Sequence, residues 1–193
     1  MIKYSFLITL FSVSILSLRA LETDGYYVTQ DGDTVATKII LPKFLGEVNT
    51  AMFAKIGTFD STTGTRKSFK PEEIRGFGFN YKNVQHNFVT KKFGESRPAF
   101  YEIRRRGAKL NLYSRLISGG GGQNTYTTIE CAMEKPDGTF VVLPGTNSSQ
   151  RTKNKLQEFF TDPEIVQLIN ASFNERDLLE EDTLKLVDEI NTK

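Results

Sequence analysis

One histidine, one cysteine and a cluster of arginines and lysines are the residues of this 193-residue chain whose types invite a chemical reading. His86 lies in Asn83-Val84-Gln85-His86-Asn87, a polar stretch that reads as a loop. Imidazole titrates near neutrality, so His86 is the candidate general base of a small hydrolase-like site. Such a base needs a nucleophile, and the chain has no Gly-x-Ser-x-Gly elbow. A solvated loop histidine is the plainer reading. Cys131 falls on the inward side of an alternating stretch, where a thiol packs as a small hydrophobe. No residue is therefore assigned a catalytic role.

Metal and phosphate chemistry find little support. One histidine and one cysteine are too few ligands for a zinc site. Asp31-Gly32-Asp33 lacks the third acid and the closing glutamate of a calcium loop, and reads as a hairpin turn. Glycines 119–122 are followed by Gln123-Asn124-Thr125 and a strand, whereas a phosphate cradle opens a helix. They are expected to form a flexible loop, with a lid over a pocket as the alternative. No cofactor is expected.

Charge asymmetry carries more information. Residues 91–115 hold eight basic side chains against Glu95 and Glu102, a net +6, while residues 156–193 hold ten acids against three bases, a net −7. Arg104, Arg106, Lys109 and Arg115 fall on the polar side of one expected hairpin and form the candidate ligand or partner surface. Anionic lipid, anionic glycan or an acidic envelope protein would suit it. The competing reading is a solvated face partly neutralised by the acidic tail. Nucleic acid is disfavoured, because aromatic interleaving is limited to Tyr101 and Tyr113.

These residues need a scaffold. Lys3 followed by the charge-free residues 4–18 reads as a signal peptide ending near Ala20, shorter than the ~20 apolar residues of a membrane span. An uncleaved anchor is the alternative, and no cysteine follows for a lipid anchor. Export to the periplasm, the outer-membrane periphery or the medium is the expectation. Removing residues 1–20 takes away Lys3 and Arg19, leaving 23 basic and 23 acidic residues. The remaining body can build one core, and a single cysteine gives it no internal disulfide. With 15 Phe and no Trp, phenylalanine must be the main bulky core residue.

Periodicity divides the body into a β-rich part over 25–143 and a helical part over 152–191. Residues 25–41 form an opening hairpin around Asp31-Gly32. Strands are expected over 51–59, 74–81 and 88–93, with a loop at 60–65 and a turn at Lys70-Pro71-Glu72-Glu73. In 74–81 the alternation of Phe77 and Phe79 with glycines suggests a face crossed closely by other backbone. Two hairpins follow, 99–105 with 109–116, and 127–134 with 139–143 through Pro136-Asp137-Gly138; Ile129, Cys131 and Met133 point inward. Leu156, Phe159 and Phe160 mark a helix, Asp162-Pro163 starts a second, and Asn174 starts a third bearing Leu179, Leu186, Val187 and Ile190.

Gly25-Tyr26-Tyr27-Val28-Thr29 with Gly32-Asp33-Thr34 resembles the opening hairpin of an uncharacterised family of small exported proteins common in Bacteroidota. The segment from Phe69 to Phe77 and the tail over 156–191, with Phe159-Phe160-Thr161-Asp162-Pro163, are similar to that family's proline-turn–glycine–aromatic strand and helical tail. The resemblance implies export and this architecture, and no activity.

The expected fold is α+β: a bent antiparallel sheet or incomplete β-barrel, followed by about three helices in a single domain over 21–193. The expected function is a non-enzymatic exported binding protein. A hydrolase-like enzyme with a site near His86 and a carrier of apolar ligands are the alternatives.

Overall fold

Twelve strands and three helices make up the computed structural model, which describes residues 20–44, 47, 48, 50, 51, 53–119, 126–143, 149–172 and 180–193. In chain order the strands are β1 (Leu21–Val28), β2 (Thr34–Leu41), β3 (Lys43–Phe44), β4 (Glu47–Val48), β5 (Ile56–Asp60) and β6 (Thr65–Phe69). Then come β7 (Gly76–Tyr81), β8 (Val84–Lys91), β9 (Ala99–Arg105), β10 (Asn111–Gly119), β11 (Tyr126–Glu134) and β12 (Phe140–Leu143). The helices α1 (Ser149–Phe159), α2 (Pro163–Ser172) and α3 (Glu180–Thr192) close the chain. The expected signal segment, glycines 120–122, Met52, Asn174 and Leu179 lie outside the described residues.

Ten strands form one open antiparallel sheet in the order β12-β11-β10-β9-β8-β7-β1-β2-β5-β6, and β3 pairs with β4 separately. The architecture is the expected α+β one with an unclosed sheet. Residues in register share a face, so the sheet sorts its side chains into two sets. On the inner face Leu110, Leu112, Met133 and Leu143 are covered by Leu156, Ile169, Leu186 and Val187 of the helices. Further along the same face Phe77, Phe79 and Phe88 are met edge-on by Phe53, at ring distances of 5.1, 5.9 and 5.2 Å. The outer face carries a smaller cluster of Phe93, Tyr101, Tyr113 and Ala132. Among the described residues no helix is long and apolar enough to cross a membrane.

Turn chemistry explains most boundaries. Gly32 and Gly138 take positive φ of 100° and 84° at the two turns read from Asp-Gly. Asp162 caps α2, its Oδ1 accepting from Glu164 N at 2.8 Å, with Pro163 at the first position.

Four expectations are corrected. The strand read over 51–59 is β5 alone, and the polar run after it turns at once into β6, an exposed edge strand. The strand read over 88–93 begins at Val84, because Lys82 and Asn83 form a tight turn with φ of 50° and 63°. His86 is therefore a strand residue and not a loop residue. The glycine face of β7 is met by backbone at Gly76, where a Cβ would come within 2.3 Å of Phe88 O, and by a side chain at Gly78, where the Tyr26 ring lies. Ile129 shares the face of Cys131 and Met133 but stays 39% exposed.

Candidate functional site

On the inner face the sheet brings together a histidine, a carboxylate and a guanidinium. Phe79 pairs with His86 and Phe88 with Glu102 across β7, β8 and β9, so His86 and Glu102 are diagonal neighbours. His86 Nδ1 lies 2.8 Å from Glu102 Oε1, and Arg104 Nη1 donates to Glu102 Oε2 at 3.1 Å. The imidazole also stacks on Phe79 at 5.0 Å. Glu102 and His86 are only 11% and 13% exposed. Arg104 can reach inward because the β9–β10 register slips between Leu112 and Tyr113, leaving it the extra residue of a bulge. A carboxylate orienting an imidazole is a recurring catalytic element. Among the described residues, however, the ring's hydrogen-bond and stacking partners are Glu102 and Phe79 alone.

The outer face carries two repeats of another arrangement. Tyr101 donates to Glu130 Oε1 at 2.6 Å, and Arg115 Nε donates to the same oxygen at 2.6 Å with its guanidinium 4.8 Å from the Tyr101 ring centre. Tyr113 donates to Glu134 Oε2 at 2.9 Å, and Lys91 Nζ donates to Glu134 while lying 5.0 Å from the Tyr113 ring centre. Burial pushes both phenols well above their ordinary range, and the glutamate each one bonds pushes further. Each cation is held by a carboxylate and a ring face together.

The four bases picked out by sequence do not make one strip. Arg104 turns to Glu102 on the inner face, and Arg115 is held by Glu130 on the outer face. Arg106 and Lys109 stay exposed, Arg106 beside a trough on the outer face and Lys109 near the start of α2. The neighbouring Arg105 is the one that meets the acidic tail, through Asp188 at 2.8 Å. Cys131 is buried among the inner-face residues under the helices.

Between β9 and β10 lies a cleft of about 710 Å³ that periodicity could not show. The β9–β10 ladder stops at Ser114 opposite Glu102, although β9 starts at Ala99 and β10 runs on to Gly119. Past that point the strands part, and backbone groups on the two facing edges have no ladder partner across the gap. Phe53, Phe100, Leu116 and Ile117 give the cleft an apolar lining. Lys55, Lys70 and Arg97 stand exposed around it, and among the described residues none of their side chains forms an ion pair, although the Lys70 backbone N–H donates to Glu73 Oε2 at 2.7 Å. Glu72 is the one acid on the lining, and Arg115, whose side chain is held by Glu130, also borders the cleft. The volume falls within the ~300–1,000 Å³ range of small-molecule sites.

Sequence reasoning counted Arg97 in the basic stretch but did not join it to Lys55 and Lys70, because the three come from separate segments. The one signal it offered is a cation before proline, in Lys70-Pro71 and Arg97-Pro98, at the approach to a strand.

No protein-family model matches the chain, and no curated protein and no solved structure is significantly similar to it.

Proposed function

We propose that this is an exported, non-enzymatic binding protein whose cleft between β9 and β10 takes an anionic ligand with an apolar portion. The observation that carries the reading is the combination of an aromatic-aliphatic lining with three cations whose side chains form no ion pair among the described residues. Cations left without internal partners are electrostatically available to a ligand, and the partly desolvated lining strengthens their attraction. The apolar portion would cover Phe53, Phe100 and Leu116, and the anionic group would meet Lys55, Lys70 and Arg97. Export is supported by the charge-free stretch after Lys3 and by the resemblance to small exported proteins of Bacteroidota, with the periplasm, the outer-membrane periphery or the medium as the destination.

Thermal unfolding in the presence of matched amphiphiles tests the reading. Dodecyl phosphate below its micelle concentration should raise the Tm. Dodecyl maltoside and inorganic phosphate should each raise it far less, since either lacks one half of the recognised chemistry. Equal shifts with all three would remove the cleft from consideration.

A hydrolase-like reading has one observation in its favour, the carboxylate-oriented His86. Its test is His86→Ala. Loss of a cellular phenotype to the level of a deletion, with folding intact, would support catalysis at this residue.

A further inference from the structure

We infer that the outer face holds a second binding site, a trough over β7 that takes a linear oligosaccharide bearing carboxylates, such as a chain of uronic acids. The trough has a simple origin. The first two outward positions of β7 are glycines, Gly76 and Gly78; the Tyr26 ring covers Gly78, and Gly76 leaves the sheet low between β1 and, across β8, β9. Val28 and Ile103 form the walls of a depression of about 490 Å³.

Tyr26 supplies the feature that selects a sugar. Its ring is laid against Gly78, where a Cβ would come within 2.6–2.8 Å of the ring's Cε1, Cζ and hydroxyl. The hydroxyl donates to Asn87 Oδ1 at 2.9 Å, and Gln85 Nε2 donates to the same oxygen at 3.1 Å. The phenol is thus fixed in place beside the trough, an apolar plate with a polar tip. Pyranose rings present a flat array of C–H groups on one side and hydroxyls at the edge, which suits such a plate with an amide next to it. Asn87 Nδ2 has no partner among the described residues and remains a donor for a ring hydroxyl.

Charge fixes the class of sugar. Arg75 immediately precedes β7 and Arg106 immediately follows β9, and these two strands run in the same direction on either side of β8. The two residues therefore lie at opposite ends of the trough, about 20 Å apart along the backbone at the usual strand rise, with the Arg75 guanidinium beside Gly32 of the β1–β2 turn. Among the described residues neither forms an ion pair. A single small anion would meet only one of them, whereas an extended chain with several carboxylates meets both, each through a charge-assisted fork. An acidic peptide fits less well. β7 is an internal strand with both edges already paired, so a peptide has no ladder to join there.

Calorimetric titration of the whole protein with tetragalacturonate, its full methyl ester and maltotetraose tests the site. Tetragalacturonate should bind, and the ester and the neutral sugar should bind at least about tenfold more weakly. The Arg75→Gln/Arg106→Gln pair and Tyr26→Ala should each weaken tetragalacturonate by about tenfold or more. Changing Lys55, Lys70 and Arg97 to Gln should leave it unaltered, which separates this site from the cleft. Absence of binding overturns the proposal, as does equal binding of the ester, or full affinity in folded Tyr26→Ala. Should that variant fail to fold, the ester comparison on the unaltered protein decides the matter.

Discussion

Asn191, in the last turn of α3, is bonded to Leu110 in both directions. Its Oδ1 accepts from Leu110 N at 2.9 Å, and its Nδ2 donates to Leu110 O at 3.0 Å. The same oxygen takes Lys109 N at 3.1 Å, so one side chain completes backbone bonding in the turn between β9 and β10. Gly107 makes room for it, since a Cβ there would come within 2.1 Å of the Asn191 amide. The helical tail is thus tied to the sheet by a specific clasp as well as by its apolar stripe. Asn191→Ala should cost about 1–3 kcal/mol, the penalty for leaving buried backbone groups unpaired. Gly107→Ala should lower stability through the same contact. Urea unfolding checks both: a reduced midpoint at constant slope is expected, and an unchanged midpoint for Asn191→Ala would mean the clasp contributes nothing.

Glu102 is the carboxylate whose removal should matter most. It is buried beside His86 and Arg104, and deleting its carboxylate removes the group that His86 Nδ1 and Arg104 Nη1 both meet. Glu102→Leu is expected to destabilise by about 3 kcal/mol, as for a broken buried ion pair. Adding His86→Leu should recover part of that loss, because the second change removes one stranded group. Denaturation of the two single variants and the double variant gives the coupling directly, and strictly additive losses would show that the contact carries no coupling.

Two tyrosines should resist alkali. Both phenols are raised above their ordinary pKa of about 10. The folded state holds these protons more tightly than the unfolded chain. The corresponding stability is fully present below about pH 10 and is lost as pH rises further. Ultraviolet titration should therefore show Tyr101 and Tyr113, among seven tyrosines, ionising only with unfolding. Tyr101→Phe/Tyr113→Phe should remove that late component. Smooth titration of all seven in the folded state would contradict the burial and glutamate bonding of these two.

Much of the scaffold was readable because it follows local rules. The limits of β2, the Asp-Gly turns and the Asp162-Pro163 start of α2 are set by residues adjacent in sequence. The β7–β8 turn was not readable, because Lys82 and Asn83 take positive φ without a glycine to announce it. That omission placed His86 in a loop and hid its contact with Glu102. β6, Thr-Arg-Lys-Ser-Phe, is an edge strand with four exposed residues in five and offers no buried alternation to detect. The basic strip dissolved for a different reason. One bulged residue redirected Arg104, and a cross-strand partner absorbed Arg115, neither of which the spacing encodes. The cleft assembles Phe53, Lys70, Arg97 and Leu116 from four segments, so only the folded sheet shows it.

Phe53 joins the scaffold to the cleft. Its ring meets three phenylalanines edge-on and also forms part of the cleft lining. Phe53→Ala should cost about 3–5 kcal/mol, as for other truncated core aromatics, and Phe53→Leu should retain most of the stability. Ligand affinity measured on the folded Leu variant should fall, because the flat ring is lost from the lining. Undiminished affinity would place the ligand elsewhere.

Calorimetric titration with monomeric dodecyl phosphate, comparing the unaltered protein with a Lys55→Gln/Lys70→Gln/Arg97→Gln variant, addresses the cleft most directly. The three side chains are exposed and unpaired among the described residues, so the variant should fold normally. One ligand should bind each unaltered molecule, and the variant should bind it at least about tenfold more weakly. Equal affinity in the two proteins, or no saturable binding to either, would contradict the account.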